Sequence, residues 1–154
     1  MTTRMRMIAV GVVAPLAIAL VGQVFVFAAL PGLPDPIATH WGPDGTPDGF
    51  GSAWVLVVML PVLVLGYAAF ALAIARNPAP GFTANQRVIL SIGPALAVLL
   101  SVTVAGSLVI QDGLADARDA PTIAPWVALG FGLGALAGVV AWFLLPAPTP
   151  VPET

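Results

Sequence analysis

Cysteine is absent from the 154 residues, and so is lysine. The first absence excludes disulfides, thiolate nucleophiles, iron–sulfur clusters and cysteine zinc sites together. Charge of either sign is scarce. Asp, Glu, Lys and Arg make up 8% of the chain, against roughly 25% in a soluble domain. A water-soluble particle with so few charges could not cover its surface. The net charge of −2 rests on five arginines as the only basic side chains besides His40. No basic stripe is available, so nucleic acid is not an expected partner. One histidine and no carboxylate inside an apolar stretch leave little for general acid–base work. Neither enzymatic activity nor a cofactor is expected.

What the chain has in excess is hydrophobic sequence, 59% of all residues. It falls in four uncharged stretches, about 7–30, 54–75, 88–110 and 123–145, each of about 22–24 residues. At 1.5 Å per residue such a helix reaches roughly 33 Å, enough for a hydrocarbon core of about 30 Å. Backbone groups in lipid must be satisfied within the segment, so helix is the default. The fold class expected is an all-α membrane protein, a bundle of four transmembrane helices with the lipid bilayer as solvent. The domain runs over 1–145, and the proline-rich end 146–154 reads as a disordered tail.

Arg4 and Arg6 before the first stretch also fit a signal peptide. The run exceeds the usual h-region, and Val26-Phe27-Ala28 is an imperfect cleavage site, so an uncleaved span is the expectation. Arg4, Arg6, Arg76 and Arg87 fall on one side of the bilayer and Arg118 on the other, while Asp35, Asp44, Asp48, Asp112, Asp116 and Asp119 fall in the first and third loops. The positive-inside rule therefore places both termini in the cytoplasm and the acidic loops outside. Trp126 and Trp142 bracket the fourth span, about 24 Å apart along a helix, as an aromatic belt requires.

Within the spans, Pro15, Pro61 and Pro94 each remove a backbone donor and bend a helix. Gln23 and Tyr67 are the only large polar side chains, and no ionisable group sits near the midplane, so ion-coupled transport has no support. Ser101 and Ser107 of the third span are expected to bond carbonyls of their own helix. Gly130, Gly134 and Gly138 form a tandem GxxxG in the fourth span. Small residues on one face let another backbone approach closely. Packing against the chain's own spans is the expected use; a homodimer seam is the alternative.

The first loop, from Pro31 to Ser52, reads PGLPDPIATHWGPDGTPDGFGS. It is long for a connection between adjacent helices. Pro43-Asp44-Gly45 and Pro47-Asp48-Gly49 each suit a tight turn, with proline presetting one φ and glycine accepting a positive one. An ordered cap is the expectation. The order Leu33-Pro34, Ile37, His40, aromatic Trp41, Gly45, Pro47-Asp48-Gly49, aromatic Phe50, Gly51-Ser52 resembles the hallmark of a bacterial membrane family, the domain of unknown function 1648. That pattern reads approximately LPxxIPxHFxxxGxPDxWGSK. Two positions depart from it: Ala38 stands where the family has proline, and Ala53 where it has lysine. The same domain forms the N-terminal part of SdpI-type toxin-immunity proteins, whose further membrane motif is not seen here. The resemblance implies a bacterial plasma-membrane protein whose relatives mostly lack an assigned activity.

His40, Asp44 and Asp48, with Asp35 nearby in sequence, offer one imidazole and several carboxylates, a set that zinc or calcium accepts. The competing reading, which we favour, is that His40 and Asp48 bond each other or nearby backbone and hold the loop's shape. The sequence thus leads to a non-catalytic membrane module. One form recognises or resists an extracellular peptide through its first outer loop. The other is an accessory subunit bound to a second membrane protein.

Overall fold

The computed structural model describes residues 1–76 and 81–149. Four helices are long and apolar enough to cross a membrane: α1 (Thr3–Gly32), α2 (Trp54–Arg76), α3 (Ala84–Val109) and α4 (Ala124–Leu144). The chain is a multi-pass membrane protein. Between α1 and α2 it adds an element that apolar periodicity did not reveal, an antiparallel hairpin of β1 (Ile37–Trp41) and β2 (Pro47–Gly51).

Each helix departs from regularity where the sequence forces it to. Pro15 has no N–H for the carbonyl four residues earlier. The turn before it, Ala9–Val13, widens into a π-helix, with Ala14 N–H reaching back to Ala9 O. Single π-turns inside α-helices absorb such mismatches. Pro61 and Pro94 lie inside α2 and α3. One turn before Pro94, the Tyr67 hydroxyl of α2 donates to Ile89 O at 2.9 Å. Its ring lies where a side chain on Gly93 would stand. At its start, α3 has a reciprocal cap: Thr83 Oγ1 accepts from Gln86 N, and Gln86 Oε1 accepts from Thr83 N. This satisfies two of the donors that every helix start leaves open.

Packing centres on α3, which touches the three other spans, whereas α4 rests almost wholly on α3. One core cluster joins Met7, Ala71, Ala75, Phe82 and Leu90, and a second joins Ala19, Leu60 and Val64. The α3–α4 seam is built by the tandem GxxxG. Added side-chain carbons on Gly130 and Gly134 would lie 2.9 Å from Thr103 Oγ1 and 2.8 Å from Ala95 O, and one on Gly138 would lie 3.2 Å from Ala95 Cβ. The glycines therefore face the chain's own third span. Gly132, on another face, has nothing within 4 Å of such a carbon.

Inside the bundle, Ser91 donates to Val88 O at 2.8 Å, but Ser101, expected to bond its own helix in the same way, does not. The hydroxyls of Ser101 and Thr103 and the Gln23 amide are buried without a protein partner among the described residues. At the end of α4 the Trp142 carbonyl would look to residue 146 for an N–H, but Pro146 has none. Arg87 of α3 supplies two donors instead, Nε at 3.1 Å and Nη2 at 2.8 Å. Its guanidinium carbon also lies 4.3 Å from the Trp142 ring centre, a cation–π contact. Of the tail, 146–149 is described. Thr149 N–H donates to Phe82 O and Thr149 Oγ1 accepts from Phe82 N, both at 2.9 Å. The rest of the expected disordered tail lies outside the described residues.

The seam yields a paired test. Gly134→Ala drives a methyl into the Ala95 carbonyl and is expected to destabilise by about 1–3 kcal/mol, the usual range for overpacking. Gly132→Ala meets open space and gains helix propensity, so it should be neutral or stabilising by up to about 1 kcal/mol. Denaturation of the purified variants in detergent measures both.

Candidate functional site

The site expected from sequence, the first loop, becomes the hairpin of a cap that closes one end of the bundle. A 3-10 turn at Leu30–Gly32 ends α1, and Leu33 turns extended to lead into Pro34. The strands pair Ile37 with Gly51, Ala38 with Phe50, His40 with Gly49 and Trp41 with Pro47. Thr39 and Asp48 are left out of this register, one residue on each strand. Such bulges redirect side chains. Here they bring His40 Nδ1 to 2.5 Å from Asp48 Oδ1, although both side chains remain largely exposed. Gly49 sits opposite His40, and an added carbon there would lie 2.8 Å from His40 Cβ.

Pro43-Asp44-Gly45 forms the turn its sequence calls for. Gly42 N–H donates to Thr46 O at 2.8 Å, and Gly45 N–H donates to Gly42 O at 2.9 Å. Gly45 takes φ +81°, a left-handed value that suits glycine. Asp44 Oδ1 accepts from the Thr46 hydroxyl at 2.8 Å and from Thr46 N–H at 3.1 Å. The hydroxyl first, and then the amide, hold its carboxyl below the ordinary aspartate range. Pro47-Asp48-Gly49, also read as a turn, is instead strand β2. Its aspartate is taken up by His40 across the ladder rather than by its own backbone.

The second acidic loop completes the cap. Gly113 N–H donates to Gly32 O at 2.8 Å. Trp41 Nε1 donates to Pro121 O at 3.1 Å. The Arg118 guanidinium lies 5.5 Å from the Phe50 ring centre and also bonds Asp116 at 3.2 Å. The Arg118 backbone N–H, more than its side chain, holds the Asp116 carboxyl low.

The joint between the two loops is Gln111, a residue that sequence reasoning did not single out. Its side chain is fully buried. Oε1 accepts from Ala38 N–H at 2.6 Å, and Nε2 donates to Ala38 O at 3.1 Å and to Ser107 O at 2.8 Å. A primary amide carries the same donor and acceptor as a peptide group. Gln111 therefore stands in for a third strand at the inner edge of β1, where Ile37 and Ala38 are fully buried. The one available signal was its position, a lone amide ending an apolar span just before Asp112-Gly113.

Between the hairpin turn and the head of α4 lies a groove of about 570 Å³, walled by Trp41, Asp44, Gly45, Ile123, Val127 and Ala128. All six aspartates lie in the two loops of this end. Among the described residues, no three His, Asp or Glu side chains converge as a metal would require. His40, Asp44 and Asp48 thus do not form a ligand set; Asp44 turns to Thr46, and His40 turns to Asp48.

Two tests follow from this construction. Gln111→Leu leaves the Ala38 N–H and C=O buried without partners, at about 1–3 kcal/mol for each orphaned group. Faster hydrogen exchange at Ala38 and a lower melting temperature are expected. The second test is of pH. Asp44's contribution is complete above its unfolded value of 3.8 and is lost as pH falls through the lower folded value. The Thr46 amide resonance should shift only below the ordinary aspartate range, and Asp44→Asn should abolish that response.

Comparison with known proteins agrees with the position of the cap. Residues 17–65 match the family model described as "Domain of unknown function (DUF1648)". The match spans the second half of α1, the whole hairpin and the first half of α2. No curated protein and no solved structure matches the chain.

Proposed function

Starting from a chain that carries the DUF1648 domain at residues 17–65, we propose a non-catalytic recognition module of the bacterial plasma membrane. Its termini are cytoplasmic, and its cap reads an extracytoplasmic peptide. The observation that carries this reading is the joining of two loops into one body with a groove beside the α4 head. The groove pairs aromatic and aliphatic walls with a carboxylate that stays ionised, Asp44. The surrounding end is acidic, so a peptide with apolar and basic side chains is the complementary ligand. Sidedness is supported by four arginines at the opposite end, against Arg118 alone at the cap. His40–Asp48 and the Asp44 turn serve to hold the recognition surface in shape. Resistance to a peptide toxin is the biological form this reading takes.

A second reading is an accessory subunit for another membrane protein, or a homodimer. The bare side of α4 favours it. Phe131, Leu136 and Phe143 are more than half exposed, and Gly132 lies among them with open space around it.

The absence of cysteine makes the test direct. In cells expressing the chain, Thr46→Cys should react with a membrane-impermeant maleimide and Thr83→Cys should not. Trp41→Ala and Asp44→Lys should abolish survival of a sensitive host under cationic-peptide challenge, with insertion unchanged. If those variants protect like the wild type, the peptide reading fails. If Gly132→Leu alone removes the phenotype together with a co-purifying membrane protein, the accessory reading replaces it.

A further inference from the structure

The end of the bundle opposite the cap carries a second, differently charged site. Arg4, Arg6, Arg76 and Arg87 gather there, and among the described residues no aspartate or glutamate accompanies them. Arg87 is committed to the Trp142 carbonyl and ring. Arg4, Arg6 and Arg76 form no ion pair among the described residues.

Where the starts of α1 and α3 meet the end of α2 there is a cavity of about 290 Å³. Thr3, Arg4, Met7, Ala75, Phe82 and Gln86 line it, together with Gly81 and Thr149. Its walls divide by chemistry. Met7, Ala75 and Phe82 are nearly fully buried and belong to the main core cluster. Arg4, Thr3 and Gln86 are polar. The cap at the start of α3 uses Gln86 Oε1, while its Nε2 donates to no protein group among the described residues and remains available on the wall.

We propose that this cavity binds the headgroup of an anionic phospholipid. The Arg4 guanidinium, a planar fork of donors, suits two phosphate oxygens at once. The Thr3 hydroxyl and Gln86 Nε2 supply further donors. The apolar wall receives the glycerol and the first methylenes of the acyl chains, which a free anion does not have. The position fits, because the residues lie at the ends of three spans, at the depth where headgroups meet hydrocarbon. Among the described residues the charged side chains at this end are all arginines, which anionic lipid would neutralise. This site does not depend on the peptide reading of the cap.

The experiment uses the full chain purified in detergent and stripped of lipid, titrated with phosphatidylglycerol, phosphatidylcholine or inorganic phosphate. Native mass spectrometry counts the lipid retained, and melting temperature reports stabilisation. Phosphatidylglycerol should bind the wild type selectively. Arg4→Gln should weaken it about fivefold, the worth of one arginine near an anionic surface. Arg118→Gln, at the cap, should leave it unchanged. Equal binding of phosphatidylcholine, or equal protection by inorganic phosphate alone, would overturn the proposal without any variant. So would wild-type affinity in an Arg4→Gln protein that inserts normally.

Discussion

A peptide group in the bilayer core, or buried in protein at its margin, has no water to turn to, and several irregular parts of this structure answer that constraint. At three places where the chain departs from a regular helix or pairs at a sheet edge, another group takes up the bond. Ala14 closes the π-turn ahead of Pro15. Arg87 takes the Trp142 carbonyl that Pro146 cannot serve. Gln111 takes both backbone groups of Ala38. These side chains would read as incidental polar residues in a soluble protein. Arg87 and Gln111 each replace a partner that solvent would otherwise provide, and each joins two elements distant in sequence.

The same constraint explains why α3 is the strut of the bundle. Its first turns hold the end of α4 through Arg87, and Gln111, just beyond its last turn, holds the cap. Along its length the GxxxG face of α4 lies against it. Between helices already immersed in hydrocarbon, close packing and hydrogen bonds must supply the attraction that water supplies elsewhere. The glycines provide the first and the terminal side chains the second. That arrangement leaves α4 with one committed face and one open to the membrane.

The helices were legible in the sequence because their signal is long, redundant and one-dimensional. A run of twenty apolar residues has few other uses. The hairpin was not legible. Its strands are five residues long, and β2 reads as Pro-Asp-Gly-Phe-Gly, which local propensity assigns to a turn. What makes it a strand is non-local: Gly49 opposite His40, and Asp48 drawn across by the imidazole. The motif located the cap without giving its shape. Gln111 was illegible for a related reason. Nothing in its neighbourhood reports that Ala38, 73 positions away, needs a peptide-like partner. Arg87 was legible as a charge but not as a helix cap, since that role depends on a proline 59 residues later in the chain. Composition gives the medium and the number of spans; pairings between distant elements appear only once the chain is folded.

The rigidity of the cap bears on what it can do. A floppy loop would lose conformational entropy on binding, and affinity would fall accordingly. Here the groove walls are already fixed from three sides. The Asp44–Thr46 bonds set the turn, Trp41 is tied to Pro121, and Gln111 clamps β1 to the end of α3. On the peptide reading proposed above, a ligand between the turn and the head of α4 would meet walls that the fold already holds in place, so little ordering of the hairpin would oppose its binding.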